Sequence, residues 1–164
     1  MSDASYPVIL AFGSNLGDRL GALRAAIKAV ATYMDIKAVS PVYETLPAYV
    51  LDQPAFLNAV CIGTTKVEPL ALLWAIKDIE SQVGRQPTYR YGPRVIDVDL
   101  IAHGDSVIAT HELTLPHPRI EERDFVLRPL ADIAPQWRHP NGKTVAEMLA
   151  QLPPGEISLI SETL

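Results

Sequence analysis

Ile96-Asp97-Val98-Asp99-Leu100-Ile101 sets two carboxylates two residues apart inside an apolar run, and no other stretch restricts the fold as much. Val, Ile and Leu favour extended backbone, and strand side chains alternate between faces. Ile96, Val98 and Leu100 therefore turn to a core, while Asp97 and Asp99 share the other side with Cα atoms roughly 6.5–7 Å apart. Two bare carboxylates at that spacing repel by about 2–3 kcal/mol at an effective dielectric near 20. One reading is a solvated edge strand whose acids discourage edge-to-edge pairing; the other is a cation site. The flanks favour the second. Gly92-Pro93 is a turn dipeptide that ends a loop and starts the strand, and Arg90 and Arg94 bracket it. Arginine forks suit phosphate oxygens, and carboxylates suit Mg²⁺ bridging the same phosphates. The segment predicts a phosphoryl- or pyrophosphoryl-transfer site.

With 164 residues, 48% of them apolar and 20% charged, the chain reads as one domain, residues 1–164, large enough to bury a core without staples. A net charge of −5 argues against a sequence-independent nucleic-acid binder, whose phosphate contacts need a basic surface; a small anion could still use a local arginine cluster. Cys61, the one cysteine, lies in an apolar run, which suits a buried side chain in a reducing compartment. No basic start leads into a long apolar stretch, and no run approaches the roughly 18 apolar residues of a membrane span. The expectation is a soluble cytoplasmic protein with small-molecule substrates, no nucleic-acid or membrane partner, and an open oligomeric state.

Pro7–Phe12 reads as a buried strand and Gly13–Asp18 as a turn into a helix, whose stripe is Leu20, Leu23, Ile27, Val30 and Met34. Gly13-Ser14-Asn15-Leu16-Gly17 lacks the Gly-Lys-Ser/Thr ending of a phosphate loop, and a helix-opening turn using Ser14 and Asn15 explains it more simply. Ile36–Tyr43 reads as one strand, Glu44–Pro54 as a functional loop, and Ala55–Ile62 as a strand with Phe56, Asn58 and Val60 on one face. Pro69 opens a second helix with stripe Leu72, Ile76, Ile79 and Val83, stopped by Gly84; Lys77 and Glu80 share another face. Gly104-Asp105 predicts a hairpin joining the acidic strand to Val107-Ile108, and Leu113–Pro118 is extended. A helix is expected over 121–130, and Thr144-Val145-Ala146-Glu147 has capping-box spacing. Strands and helices interleave, while short turns favour antiparallel neighbours. The predicted class is α+β in a ferredoxin-like layout, with helices on a mainly antiparallel sheet.

Tyr91-Gly92-Pro93-Arg94-Val95-Ile96-Asp97-Val98-Asp99 resembles the signature of the 6-hydroxymethyl-7,8-dihydropterin pyrophosphokinases, enzymes of folate biosynthesis. Three further pieces agree in order and spacing: Phe12–Gly17, Asp52–Asn58, and Leu115-Pro116-His117 ahead of Arg123-Asp124-Phe125. The resemblance covers nearly the whole chain and implies transfer of pyrophosphate from ATP to a pterin alcohol, with AMP as the other product. Asp97 and Asp99 would then hold two Mg²⁺ ions on the ATP phosphates, with the catalytic arginines Arg85 and Arg94 beside them. Tyr91 and Phe125 would sandwich the pterin ring and Asn58 would read its edge, with Phe56 and Thr45 completing the pocket. On the ATP side the resemblance places Lys77, Glu80, Arg90, Leu100, Leu113, Thr114, His117 and Arg123. Plainer roles exist for some of these: a helix-end cation for Arg85, core packing for Phe56 and Phe125, and a solvated arginine for Arg123. The chain departs from the family pattern at Tyr49, Lys77, Pro87 and Tyr91, and the loop after Arg85 is one residue short. The competing readings are a two-metal nucleotidyltransferase, and a pterin- or nucleotide-binding module without turnover.

Overall fold

A computed structural model describes residues 4–46, 52–84, 93–153, 155, 157–160 and 164. Strand β1 (Tyr6–Ser14) sits inside the main sheet, paired antiparallel to β4 (Phe56–Thr65) on one side and to β5 (Asp97–His103) on the other. Beyond β4 lie β2 (Asp35–Val39) and β3 (Tyr43–Thr45), and β3 in turn pairs β8 (Ile157–Leu159), giving the order β5-β1-β4-β3-β8 with β2 also on β4. Helix α1 (Arg19–Val30) connects β1 to β2, and α2 (Pro69–Val83) connects β4 to β5. Counting β2 and β3 as one broken strand, this is the βαββαβ chain path of the ferredoxin-like layout.

Two apolar layers cover the two faces of the sheet. Val8, Leu10 and Phe12 of β1, with Ile96, Val98 and Leu100, pack against Leu23 and Ala26 of α1 and Leu72, Ile76 and Ile79 of α2. On the other face Ile9, Ala11, Val60 and Ile101 pack against Val126, Leu127 and Leu130 of α3 (Asp124–Ile133) and Met148 of α4 (Val145–Ala150). The alternation expected of β5 holds: Ile96, Val98 and Leu100 are buried on the first face, and Asp97 and Asp99 lie on the second.

Local chemistry accounts for several element ends. Gly84 closes α2 at φ 116°, a left-handed conformation that costs glycine little. Thr144 and Glu147 form the expected reciprocal capping box at α4. Other expectations are corrected. The helix-opening cap is Asp18, whose carboxylate accepts from Gly21 N at 3.0 Å, while Asn15 is engaged elsewhere. The strand expected over 36–43 is two strands broken around Pro41, and Thr45, expected in a loop, ends β3. Gly104 does turn the chain, at φ 55°, but β6 (Ile108–Ala109) pairs β7 (Thr114–Leu115) in a separate small sheet instead of β5. The helix expected over 121–130 is a 3₁₀ turn at Ile120–Glu122 followed by α3. β8, in the tail, was not foreseen.

Candidate active site

Register decides where the polar side chains meet. On the α3 face, Val60, Ala11 and Asp99 form one cross-strand row, and the next row is Tyr43, Asn58, Gly13 and Asp97. Towards this end of the sheet each strand therefore changes from apolar to polar: Val60 to Asn58, Ile101 to Asp99. Adjacent strands lie about 4.8 Å apart, so Asn58 and Asp97, two strands apart, have Cα atoms separated by roughly 10 Å, with Gly13 between them. A Cβ on Gly13 would stand 3.1 Å from Asn58 Oδ1 and 3.5 Å from the Phe56 ring. The glycine thus leaves a bare floor, a role its place in an apolar strand could have signalled.

Over this floor is a cavity of about 250 Å³ lined by Thr45, Leu46, Gln53, Phe56, Asn58 and Phe125 on one side, and by Arg94, Asp97, Asp99, His117 and Arg123 on the other. A second cavity, about 370 Å³, adjoins it and is lined by Leu73, Lys77, Glu80, Leu100, Leu113 and Thr114, with His111 and Glu112 at its rim. Asp97, Asp99 and His117 line both. Thr45, Phe56, Asn58 and Phe125, expected on the pterin side, line the first cavity, and Lys77, Glu80, Leu100, Leu113 and Thr114, expected on the ATP side, line the second; Arg123, also expected on the ATP side, lines the first instead. Arg85, Arg90 and Tyr91, with Tyr49 and Pro87, lie outside the described residues. Gln53, His111 and Glu112 were missed; Gln53 stands in a motif segment, whereas nothing in the spacing of the other two marks them.

Each acid faces an arginine. Arg94 Nη1 lies 3.5 Å from Asp97 Oδ2, and Arg123 Nη1 lies 3.4 Å from Asp99 Oδ2; both arginine side chains are only 11–12% exposed. The Arg123 guanidinium carbon also sits 5.5 Å above the centre of the Phe125 ring. Arg123 is thus held between a carboxylate and an aromatic face, not solvated, and Phe125 lines the cleft while packing on the α3 core. Asp99 is pushed up to about 7, first by desolvation and then by the Asp97 carboxylate, against the pull of Arg123 and Arg94. Its side chain is 30% exposed, so burial is substantial but incomplete.

His117 is driven down to about 4 by burial and by the Arg123 charge, so its ring is neutral at pH 7. Arg119 N donates to Nδ1 at 3.1 Å, which leaves the proton on Nε2 as a donor. The backbone N of His117 binds Ile101 O at 2.8 Å, fastening its loop to the outer edge of β5. Asn58 Nδ2 donates to Thr45 Oγ1 at 2.6 Å, orienting the amide. Lys77 and Glu80, expected to share one face of α2, differ in burial. Lys77 is exposed, whereas Glu80 is buried with the Ile76 and Ile79 layer, and its Oε2 accepts from Val98 N at 2.8 Å. It satisfies an edge-strand N–H that would otherwise be lost inside the protein.

The donor set suits a hard divalent cation. Asp97 and Asp99 present two carboxylates on one face of β5, and Mg²⁺ typically takes one or two carboxylates plus phosphate oxygens and water. Among the described residues there is no group of three or more His, Cys, Asp or Glu that could hold a metal ion.

A ferredoxin-like sheet with an acidic pair and two arginines beside an amide-and-aromatic pocket defines a small α+β domain with a charged cleft at one end of its sheet. The family model for 7,8-dihydro-6-hydroxymethylpterin-pyrophosphokinase (HPPK) matches residues 9–135, and the chain belongs to that family. It is 39% identical over 148 residues to the 2-amino-4-hydroxy-6-hydroxymethyldihydropteridine pyrophosphokinase of Pseudomonas aeruginosa, covering 89% of this chain and 91% of that one. It is 44% identical over 149 residues to the folic acid synthesis protein FOL1 of Dictyostelium discoideum, covering 90% of this chain but 23% of the relative. The chain spans between a fifth and a third of the length of the fungal, plant and Dictyostelium relatives it matches. The crystal structure of Plasmodium falciparum HPPK-DHPS with pteroate superposes with a TM-score of 0.77 at 16% identity, over 92% of this chain and 45% of that one, a likeness of fold. No helix among the described residues is long and apolar enough to cross a membrane.

Proposed function

We propose that the chain transfers the pyrophosphoryl group of ATP to 6-hydroxymethyl-7,8-dihydropterin, giving AMP and the pterin diphosphate in folate biosynthesis. The observation that carries this reading is the cross-strand row Asn58–Gly13–Asp97, which puts the ring-reading amide and the first acid on one floor, in reach of a nucleotide cavity sharing Asp97, Asp99 and His117. The pterin lies over Gly13, its edge read by Asn58 and its faces held by Phe125 and, beyond the described residues, Tyr91. Thr45 orients the reader, and Phe56 closes the pocket. The adenine and ribose lie along Leu100, Leu113, Thr114 and Lys77, with the phosphates reaching towards Asp97, Asp99 and His117.

In this reading Asp97 and Asp99 would hold Mg²⁺, two ions by family resemblance, which would neutralise charge on the phosphates. The pterin hydroxyl oxygen bonds to the β-phosphorus as the α–β bridging P–O bond breaks; AMP leaves with that oxygen, and the hydroxyl proton passes to solvent. Arg94 and Arg123 swing their donors from the long carboxylate contacts to phosphate oxygens, and neutral His117 donates through Nε2. Arg85 and Arg90 would add cations from the loop ahead of Arg94. Glu80 keeps its carboxylate on Val98 N, so its part on the nucleotide side is to hold β5 in place. No covalent intermediate on the protein is required; positioning and charge stabilisation supply the rate.

Incubation with the pterin alcohol and Mg-ATP, followed by nucleotide chromatography, tests this directly. AMP appearing one-for-one with pterin diphosphate is expected. ADP would assign a simple kinase, free pyrophosphate a nucleotidyltransferase, and binding without turnover a non-catalytic module.

A further inference from the structure

We infer that Asn15 is the positioning residue that locks the pterin side of the cleft to the phosphate side, although it touches neither substrate. The inference rests on the pyrophosphokinase reading and extends it to the Gly13–Gly17 motif, whose turn role the Asp18 cap has taken over. Asn15 is 1% exposed. Its Nδ2 donates to Gln53 Oε1 at 2.8 Å and to Pro54 O at 3.1 Å, while its Oδ1 accepts from Arg94 N at 2.9 Å. Its own backbone N donates to Arg94 O at 3.2 Å. An amide side chain has two donor hydrogens and one acceptor oxygen, and here both kinds are used on opposite walls of the cleft.

Those walls are functionally distinct. Gln53 lines the first cavity, and Pro54 leads through Ala55 into Phe56 and Asn58 on β4. Arg94 stands three residues before Asp97 and faces its carboxylate. The same turn anchors the next carbonyl: Arg19 Nη1 donates to Ala55 O at 3.0 Å and pairs with Glu44 Oε2 at 2.8 Å. Residues 53, 54 and 55 are thus all held from the 15–19 turn. Arg94 is referenced, through one buried side chain, to the segment that sets Phe56 and Asn58. The bonds of Asn15 go to Gln53, Pro54 and Arg94 and not to the nucleotide walls Lys77, Leu100, Leu113 and Thr114, so loss of the lock separates pterin binding and chemistry from nucleotide binding.

No other side chain of this size offers the same pattern. Aspartate keeps the acceptor for Arg94 N but sets an anion against Gln53 Oε1 and Pro54 O; alanine removes every side-chain tie. In Asn15→Asp and Asn15→Ala, kinetics are measured per folded molecule after thermal unfolding has quantified the folded fraction. The expected result is a pterin KM raised and a kcat lowered, each about tenfold or more, with the dissociation constant of an unreactive ATP analogue within about twofold of wild type. A purely structural residue would lower the melting temperature and leave this split absent. Gln53→Met removes one acceptor at near-constant volume and covers the case in which the Asn15 variants fail to fold; it should raise the pterin KM. In Asn15→Ala/Gln53→Met that rise should be less than the product of the single effects, because the two partners share one bond. Nucleotide affinity falling in step with pterin affinity, multiplicative losses in the double variant, or unchanged kinetics would each overturn the inference. Absence of AMP from the wild-type protein would instead overturn the reading beneath it.

Discussion

Asp99→Asn offers a test of the acidic wall that needs no substrate. In the free protein the Asp99 carboxyl stands near 7, against 3.8 when unperturbed, because burial and the neighbouring Asp97 carboxylate penalise its ionised form. Its folded value lies above its unfolded one. Its contribution is therefore fully present below about pH 4, falls as the unfolded chain ionises and the folded protein does not, and reaches a floor above about pH 7. Each pH unit well inside that window removes about 1.4 kcal/mol, and the loss tails off as the folded carboxyl ionises, so the unscreened loss between about pH 5 and pH 8 is about 2.6 kcal/mol. With the side chain 30% exposed, water screens part of this, and about 2 kcal/mol is the figure to test. Urea unfolding in chelator at about pH 5 and about pH 8 should show wild type losing about 2 kcal/mol more than Asp99→Asn. The slope is the readout, since the pull of Arg123 on the ionising carboxylate is already contained in the raised value, while any packing change in the variant shifts stability equally at both pH values. Excess Mg²⁺ at the higher pH should restore wild type and leave the variant nearly unmoved. Parallel pH slopes in chelator would show that the acid pair is relaxed by solvent and refute the argument.

Two further substitutions separate floor from frame. Gly13→Ala places a carbon 3.1 Å from Asn58 Oδ1, so titration calorimetry should show pterin affinity falling about tenfold, while stability moves by less than about 1 kcal/mol because the strand backbone gains from losing glycine. Unchanged affinity would remove Gly13 from the floor. Glu80→Ala leaves Val98 N without its carboxylate and should cost about 1–3 kcal/mol in denaturant unfolding, whereas Glu80→Gln keeps an acceptor and should cost less than half of that. Equal losses in the two variants would contradict the edge-capping role.

The parts of this molecule legible in the chain are those with a period or a specific chemical conflict. Leu72, Ile76 and Ile79 announced α2, and Gly84 its end. Asp97 and Asp99, placed where apolar neighbours demanded a strand, announced β5 and the face on which its two carboxylates lie. Pairs such as β6 with β7 span two residues each, too short for any alternation to show, so the hairpin after Gly104 was assigned to the wrong neighbour. β8 was invisible because its three residues acquire meaning only from pairing with Tyr43–Thr45, more than a hundred positions away. Asn15, Gln53 and Glu80 share a different obscurity: a polar residue in a helix or turn reads as surface until the fold supplies a buried partner. Resemblance to a family could place Asn58 and Phe125 on a ligand, but only the register shows why Gly13 must lie between the amide and the acid.

Lys77 and Glu80 stand one helical turn apart on α2, the first exposed on the wall of the second cavity and the second bonded to the backbone between Asp97 and Asp99. Helix and strand are thereby pinned together: the turn of α2 that carries Lys77 also carries the carboxylate that holds the peptide linking the two acids, so the cavity wall and the acidic strand share one fastening.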